Sequence, residues 1–90
     1  MKKIEVTLVN KLGMHARPSA KVAQTATQFK AQVWLLRNGR KVNAKSIMGV
    51  MMLAAPLGAT LEIEADGEDE EAALTALTQL FAAGFGEELA

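Results

Sequence analysis

Residues 13–19 read Gly-Met-His-Ala-Arg-Pro-Ser, and His15 in that stretch is the single histidine of the chain. Arg17 follows two places on, with Pro18 directly after it. Proline is well placed in the first turn of a helix, where its missing N–H has no partner to lose. His15 is therefore expected just before a helix, close to backbone N–H groups that lack intrahelical partners. Those groups and the helix dipole favour a negative charge. They disfavour imidazolium, so the ring is expected to stay neutral, with a nitrogen lone pair free to attack. Arg17 offers a fixed guanidinium fork suited to phosphate oxygens. Together these groups describe a site for transient phosphohistidine, formed by in-line transfer in which positioning and charge neutralisation contribute most of the catalysis. The plain alternative is a solvated surface histidine beside a helix start.

The elements around this stretch follow from periodicity. Residues 2–9 alternate, with Ile4, Val6 and Leu8 on one face, and predict a half-buried strand. Residues 10–13 predict a turn. A helix is expected from Pro18 to about Gln28, with Ala16, Ala20 and Ala23, joined by Val22 and Ala26, as its apolar stripe. Residues 32–37 and 40–43 predict two strands joined at Asn38-Gly39, a strong hairpin signal. Ser46 is placed as the N-cap of a short helix from Ile47 to about Leu53, which Pro56 and Gly58 end. Residues 60–65 alternate as a fourth strand, with Leu61 and Ile63 inward. From Asp69 to about Ala83, Ala73, Leu74, Leu77, Leu80 and Phe81 make the face of a last helix, and Gly84 stops it. The order is βαββαβα. An antiparallel sheet with helices on one face is the economical α+β arrangement.

Composition bounds the function. Ninety residues suit one domain, 1–90. Cysteine is absent, so disulfides and thiolate sites are excluded, a reducing compartment fits, and no metal site is expected beside a lone histidine. The N-terminal Lys2-Lys3 has no apolar run behind it, which argues against a secretory signal, and no stretch approaches a membrane span. Residues 1–45 carry all ten Lys and Arg and one acid, whereas residues 46–90 carry nine acids and no Lys or Arg. Either a basic face meets an acidic partner, or the two halves interleave in the fold. Nucleic acid is not an expected partner, because the basic half has few aromatics to stack bases.

The segment after Ser46 is too apolar for so short a helix. At 100° per residue, Val50 and Leu53 share one face, and Ile47, Met48, Met51 and Met52 spread over the other. The surplus predicts a docking patch, for which flexible methionines suit several unlike partners. Lys21, Lys41 and Lys45 are expected to ring it. The competing reading has residues 54–59 covering the patch.

The segments GMHARPS and KSIMGVMMLA, at 13–19 and 45–54, resemble the two signature segments of the HPr family, the histidine-containing phosphocarriers of the bacterial phosphoenolpyruvate-dependent phosphotransferase system. The resemblance extends over essentially the whole chain. It implies an open-faced β-sandwich, a four-stranded antiparallel sheet with three helices on one side. It implies a cytoplasmic monomer that needs no cofactor and is a phosphocarrier, not an enzyme. His15 would accept a phosphoryl group at Nδ1 from Enzyme I and pass it to EIIA-type domains, with Arg17 stabilising the group. Ala16, Ala20, Ile47, Met48 and Met51 would meet these partners. Ser46 would be the target of HPr kinase/phosphorylase, which lowers carrier activity. Ala16 stands where threonine is often seen, and Gln24 and Thr27 stand where lysine is often seen. NKLGMHARP and the LF and GF pairs at 80–85 also resemble NPr, the paralogue of the nitrogen-related branch, whereas SIMGVMMLAA resembles HPr from bacteria that possess the kinase. A docking module acting through Ser46 alone is the remaining alternative.

Overall fold

The inward residues of β2 and β4 set the core. In the computed structural model, which describes residues 1–89, strands β1 (Lys2–Thr7), β2 (Gln32–Arg37), β3 (Arg40–Asn43) and β4 (Thr60–Asp66) pair antiparallel in the order β1-β4-β2-β3. Ile63 of central β4 lies between Ile4 of β1 and Leu35 of β2. Helices α1 (Ala16–Thr27), α2 (Ile47–Met51) and α3 (Glu70–Ala82) follow in the expected order. Val33, Leu35, Leu61, Ile63 and Ala65 from the sheet pack with Val22 and Ala26 of α1, Val50 of α2, and Ala73, Leu77 and Phe81 of α3. That one-sided core makes the fold an α+β open-faced sandwich. Asn38 and Gly39 both take positive φ, 51° and 77°, as a two-residue hairpin turn requires.

The other face of the sheet is left without a helix. There Glu64 is buried at 4% exposure, 3.0 Å from Lys41 and 3.7 Å from Lys3, and Lys41 lies 4.5 Å over the Trp34 ring. The close approach of the Lys41 ammonium is the main cause that holds the Glu64 carboxyl below its usual range, against the cost of burial. Lys41 therefore does not ring the methionine helix. It pairs with Leu36 across the hairpin, on the face opposite the core residues Val33 and Leu35.

Several sequence expectations shift. Helix α1 starts at Ala16, so Pro18 is its third residue and still needs no N–H partner. Its buried stripe is Pro18, Ser19, Val22, Ala23 and Ala26, while Ala16 is exposed and Ala20 half-buried. These two alanines lie one helical flank away from the core. Ile4 is 38% exposed because β1 is an edge strand, and Ile4 only borders an open cleft with Leu74 and Thr78 of α3. Helix α2 ends at Met51 rather than Leu53. Leu53 and Ala54 donate to the carbonyls three residues back, which tightens the last turn, and Ala54 then takes φ 49°.

Gly13 joins the histidine loop to this frame. It has φ +70°, and a Cβ there would meet the Ala55 carbonyl oxygen at 2.7 Å and Pro56 Cα at 2.9 Å. The next residue, Met14, donates its N–H to that same Ala55 oxygen at 2.8 Å. Both the torsion and the approach demand glycine. Gly13→Ala is expected to destabilise the protein by about 1–3 kcal/mol, or more if the 55–57 segment moves. Urea unfolding of the two proteins measures the loss; an unchanged midpoint would show that the close approach is dispensable.

Candidate functional site

His15 stands between the loop 10–14 and the start of α1; the distant segment 55–57 holds that loop at Gly13 and Met14, and the chain after α3 reaches the ring itself. His15 is the N-cap of α1, extended at φ −112°, ψ −165°, and no side chain caps that helix. Its carbonyl accepts the Ser19 N–H at 3.0 Å and the Ser19 hydroxyl at 2.7 Å. Pro18 has no N–H, so the N–H groups of Ala16 and Arg17 are left without helical or capping partners. The helix start can therefore take an anion. Helix α2 starts differently, because Ser46 Oγ accepts the Gly49 N–H at 3.1 Å. Ser46 is thus the N-cap the sequence predicts, a bond worth about 1 kcal/mol.

The sequence reading missed Glu87. The chain after α3 turns back through Gly84–Gly86, a short 3₁₀ turn, and brings the Glu87 carboxylate to the ring. Glu87 Oε1 lies 2.9 Å from His15 Nε2 and accepts a second hydrogen bond from Asn10 Nδ2 at 3.1 Å. Asn10 is fully buried, and its amide also donates to the Gly13 carbonyl at 2.7 Å. The expectation that the helix dipole alone governs the ring is thus incomplete, since a carboxylate also faces it. In the neutral ring, a carboxylate at Nε2 requires the proton on Nε2 and leaves the lone pair on Nδ1. Nothing local to the sequence marks Glu87, which stands 72 residues from His15; the Gly-Phe-Gly before it signals only a turn.

The ring is partly open, with 36% of the His15 side chain exposed against 14% for Glu87. Beside it, Arg17 borders a shallow open cleft together with Lys11, Leu12, Lys21 and the turn at Gly86–Glu88. Such a surface suits a group presented to a partner rather than a substrate enclosed by this chain.

Helix α2 supplies the second feature. Val50 and Leu53 are buried, while Ile47, Met48, Met51 and Met52 stay exposed, Met48 at 76%. Residues 54–59 do not cover them. Leu12 and Leu57 are exposed as well. Arg40 and Arg37, not Lys41, reach this end of the fold, donating to the Met52 and Leu53 carbonyls at 2.8 and 3.2 Å. Lys21 donates to the Phe85 carbonyl and Lys45 to that of Phe29.

The charged halves of the sequence interleave. Lys2 pairs with Glu71, Lys3 and Lys41 with Glu64, and Lys11 with Glu88, each pair joining the basic half to the acidic half. Arg17, Arg37 and Arg40 stand outside those pairs, on the side of His15 and α2. No helix among the described residues is long and apolar enough to cross a membrane.

The structure is a one-sided sheet-and-helix sandwich that offers a partly exposed histidine at an uncapped helix start. Comparison with known proteins gives the particular family. Residues 2–83 match the family model described as PTS HPr component phosphorylation site. The chain is 58% identical over 83 residues to Phosphocarrier protein HPr of Cupriavidus necator, covering 92% of this chain and 93% of that protein. It is 54% identical over 87 residues to the HPr of Neisseria meningitidis, covering 97% and 98%. A Phosphocarrier protein NPr of Shewanella violacea is 39% identical over 83 residues, covering 92% and 91%. The crystal structure of HPr-C-His from Thermoanaerobacter tengcongensis superposes with a TM-score of 0.94 at 47% identity, covering 99% of this chain and 100% of that one. The chain belongs to the HPr family and is a phosphocarrier of the phosphotransferase system.

The site has a titration signature. The hydrogen bond from His15 is the leading cause that holds the Glu87 carboxyl below its ordinary value; the Asn10 bond and the charges of His15 and Arg17 add to it, and burial opposes them. A depressed carboxyl stabilises the fold above its unfolded-state pKa, and that stability is lost as pH falls through the folded value. In His15→Ala the Glu87 side-chain carbon, followed by NMR, is expected to titrate at higher pH than in the parent, closer to an ordinary glutamate. An unmoved midpoint would remove His15 as the cause.

Proposed function

We propose that His15 accepts a phosphoryl group at Nδ1 from phosphorylated Enzyme I and passes it to EIIA-type domains. The observation that carries this reading is the pairing of an uncapped α1 start with a ring whose Nε2 is already engaged by Glu87. The Nδ1 lone pair attacks phosphorus in line, the N–P bond to the donor histidine breaks, and the donor imidazole leaves with that electron pair. The Nε2 proton stays in place. The Ala16 and Arg17 N–H groups and the Arg17 guanidinium neutralise the phosphoryl oxygens. Delivery to the EIIA-type domain is the same displacement run in the other direction. The protein works, in this reading, as a cytoplasmic monomer without a cofactor.

The exposed faces of Ala16, Ala20, Ile47, Met48 and Met51 form the docking surface, and Arg17, Lys21 and Arg40 orient acidic partners on it. Greater identity to relatives named HPr than to the one named NPr favours the sugar-transport branch over the nitrogen-related one.

Ser46 serves as a regulatory site for a kinase of the HPr kinase/phosphorylase type. Ser46 is exposed, at the edge of the methionine surface. Phosphate there keeps a favourable place at a helix start but sets two negative charges into an apolar docking face. Incubation with Enzyme I, Mg²⁺ and phosphoenolpyruvate, read by intact mass before and after mild acid, tests both sites. The parent should gain one acid-labile phosphate and His15→Ala none, with its fold unchanged. Ser46→Asp should accept phosphate more slowly, on the order of tenfold, which corresponds to about 1.4 kcal/mol of lost docking energy. A His15→Ala protein that still gains acid-labile phosphate would overturn the carrier assignment, and parental kinetics in Ser46→Asp would overturn the regulatory one.

A further inference from the structure

We infer that Glu87 is a positioning residue for His15: its carboxylate accepts the Nε2 proton and so holds the ring in the tautomer that keeps Nδ1 unprotonated for phosphoryl transfer. The inference rests on the carrier role proposed for His15. Its geometric basis is the way the chain after α3 is fastened.

Gly84, Phe85 and Gly86 take φ of 62°, 60° and 75°, three successive left-handed residues that reverse the chain. The unfavourable torsion at Phe85 is held by burial, since its ring is 1% exposed and packs edge-on against Phe81 at a centroid distance of 4.9 Å. Gly84 lies so close to Leu89 that a Cβ would fall 2.2 Å from Leu89 Cδ2. Beyond the turn, the Glu87 N–H donates to the Gly84 carbonyl at 3.0 Å, and the Lys11 N–H to the Glu88 carbonyl at 2.9 Å. Asn10 and Leu89 form a β-bridge. The backbone on either side of Glu87 is thus fixed before its side chain does anything.

The carboxylate is fixed in turn. Oε1 takes the Asn10 amide at 3.1 Å and the His15 ring at 2.9 Å, so one oxygen bridges the loop and the imidazole. A buried amide that can only donate through its nitrogen sets where that oxygen lies. The oxygen then sets the ring's orientation and tautomer, as second-layer carboxylates do for histidines that ligate metals. Without it the neutral ring would distribute its proton between the two nitrogens, and the fraction with Nδ1 protonated could not attack.

The test uses the full chain and two variants, Glu87→Ala and Glu87→Gln. The glutamine keeps an oxygen that can accept from Nε2 and Asn10 but removes the charge. Two readouts are taken: the ¹⁵N shifts of the His15 ring at a pH where it is neutral, and kcat and KM for phosphorylation by Enzyme I. The parent should show a protonated Nε2 and a bare Nδ1. In Glu87→Ala the two nitrogen shifts should move toward each other, and kcat should fall by about tenfold with KM little changed. Glu87→Gln should restore both. Parental shifts in Glu87→Ala would overturn the inference, whatever the rate. So would a Gln variant that fails as completely as Ala. Failure of the carrier reading is distinguishable, because the parent itself would then gain no acid-labile phosphate while the ring shifts still report the tautomer.

Discussion

One buried amide links the parts of this site. Asn10 donates one N–H to the Gly13 carbonyl and the other to Glu87 Oε1, so a single side chain ties the histidine loop to the chain after α3. The Gly13 that it grips is pressed against Ala55 and Pro56, which fixes the loop to the segment that follows α2. From that point the direction of α1 and the place of His15 follow. A buried polar group is worth its desolvation only when its hydrogen bonds are made. Here both amide protons are used, while the buried Oδ1 of the same side chain has no partner among the described residues, and the element the two protons order is the one that carries the histidine.

The two helix starts show how the same backbone chemistry serves opposite ends. Helix α2 closes its own N-terminus with Ser46, whereas α1 leaves its N-terminus open beside a histidine. An open start costs local stability but leaves N–H donors for an anion, which the proposed carrier role assigns to the phosphoryl group. The fold compensates by anchoring α1 elsewhere, through the buried Val22, Ala23 and Ala26. Beside this start lies a helix whose outward face is apolar. A carrier has no need of an enclosed pocket, since each partner supplies the other half of the reaction centre. It needs a rigid, exposed nucleophile and a surface that more than one partner can cover, and a short helix rich in methionine fits that need.

Much of the frame was legible in the sequence because it depends on local rules. Alternation marks β4, the Asn38-Gly39 turn marks the hairpin of β2 and β3, and Ser46 marks the cap of α2. Alternation marks β1 as well, but the strand ends at Thr7 and its edge position leaves Ile4 exposed and only Val6 buried, since strand order is a non-local property. Alanines mislead for a related reason: they are apolar enough to join a stripe and small enough to sit outside it, so periodicity puts Ala16 and Ala20 in a stripe that Val22, Ala23 and Ala26 do form but that Pro18 and Ser19 complete. The parity of β3 could have placed Lys41 on the open face beside Trp34. At the site, His15, Arg17 and Gly13 were visible because they are neighbours in sequence. Asn10 and Glu87 were not, because their roles exist only once a chain reversal at Gly84–Gly86 closes a loop of more than seventy residues.

The central claim is that the phosphoryl group resides on Nδ1 of His15, on the ring nitrogen left free by Glu87. The direct measurement is a ¹H–¹⁵N long-range correlation spectrum of the ¹⁵N-labelled protein, recorded after phosphorylation by Enzyme I and phosphoenolpyruvate, with ³¹P coupling used to identify the bonded nitrogen. The account predicts coupling to Nδ1 and a proton retained on Nε2. Phosphorus coupled to Nε2, or a phosphorylated protein with an unmodified ring, would contradict it.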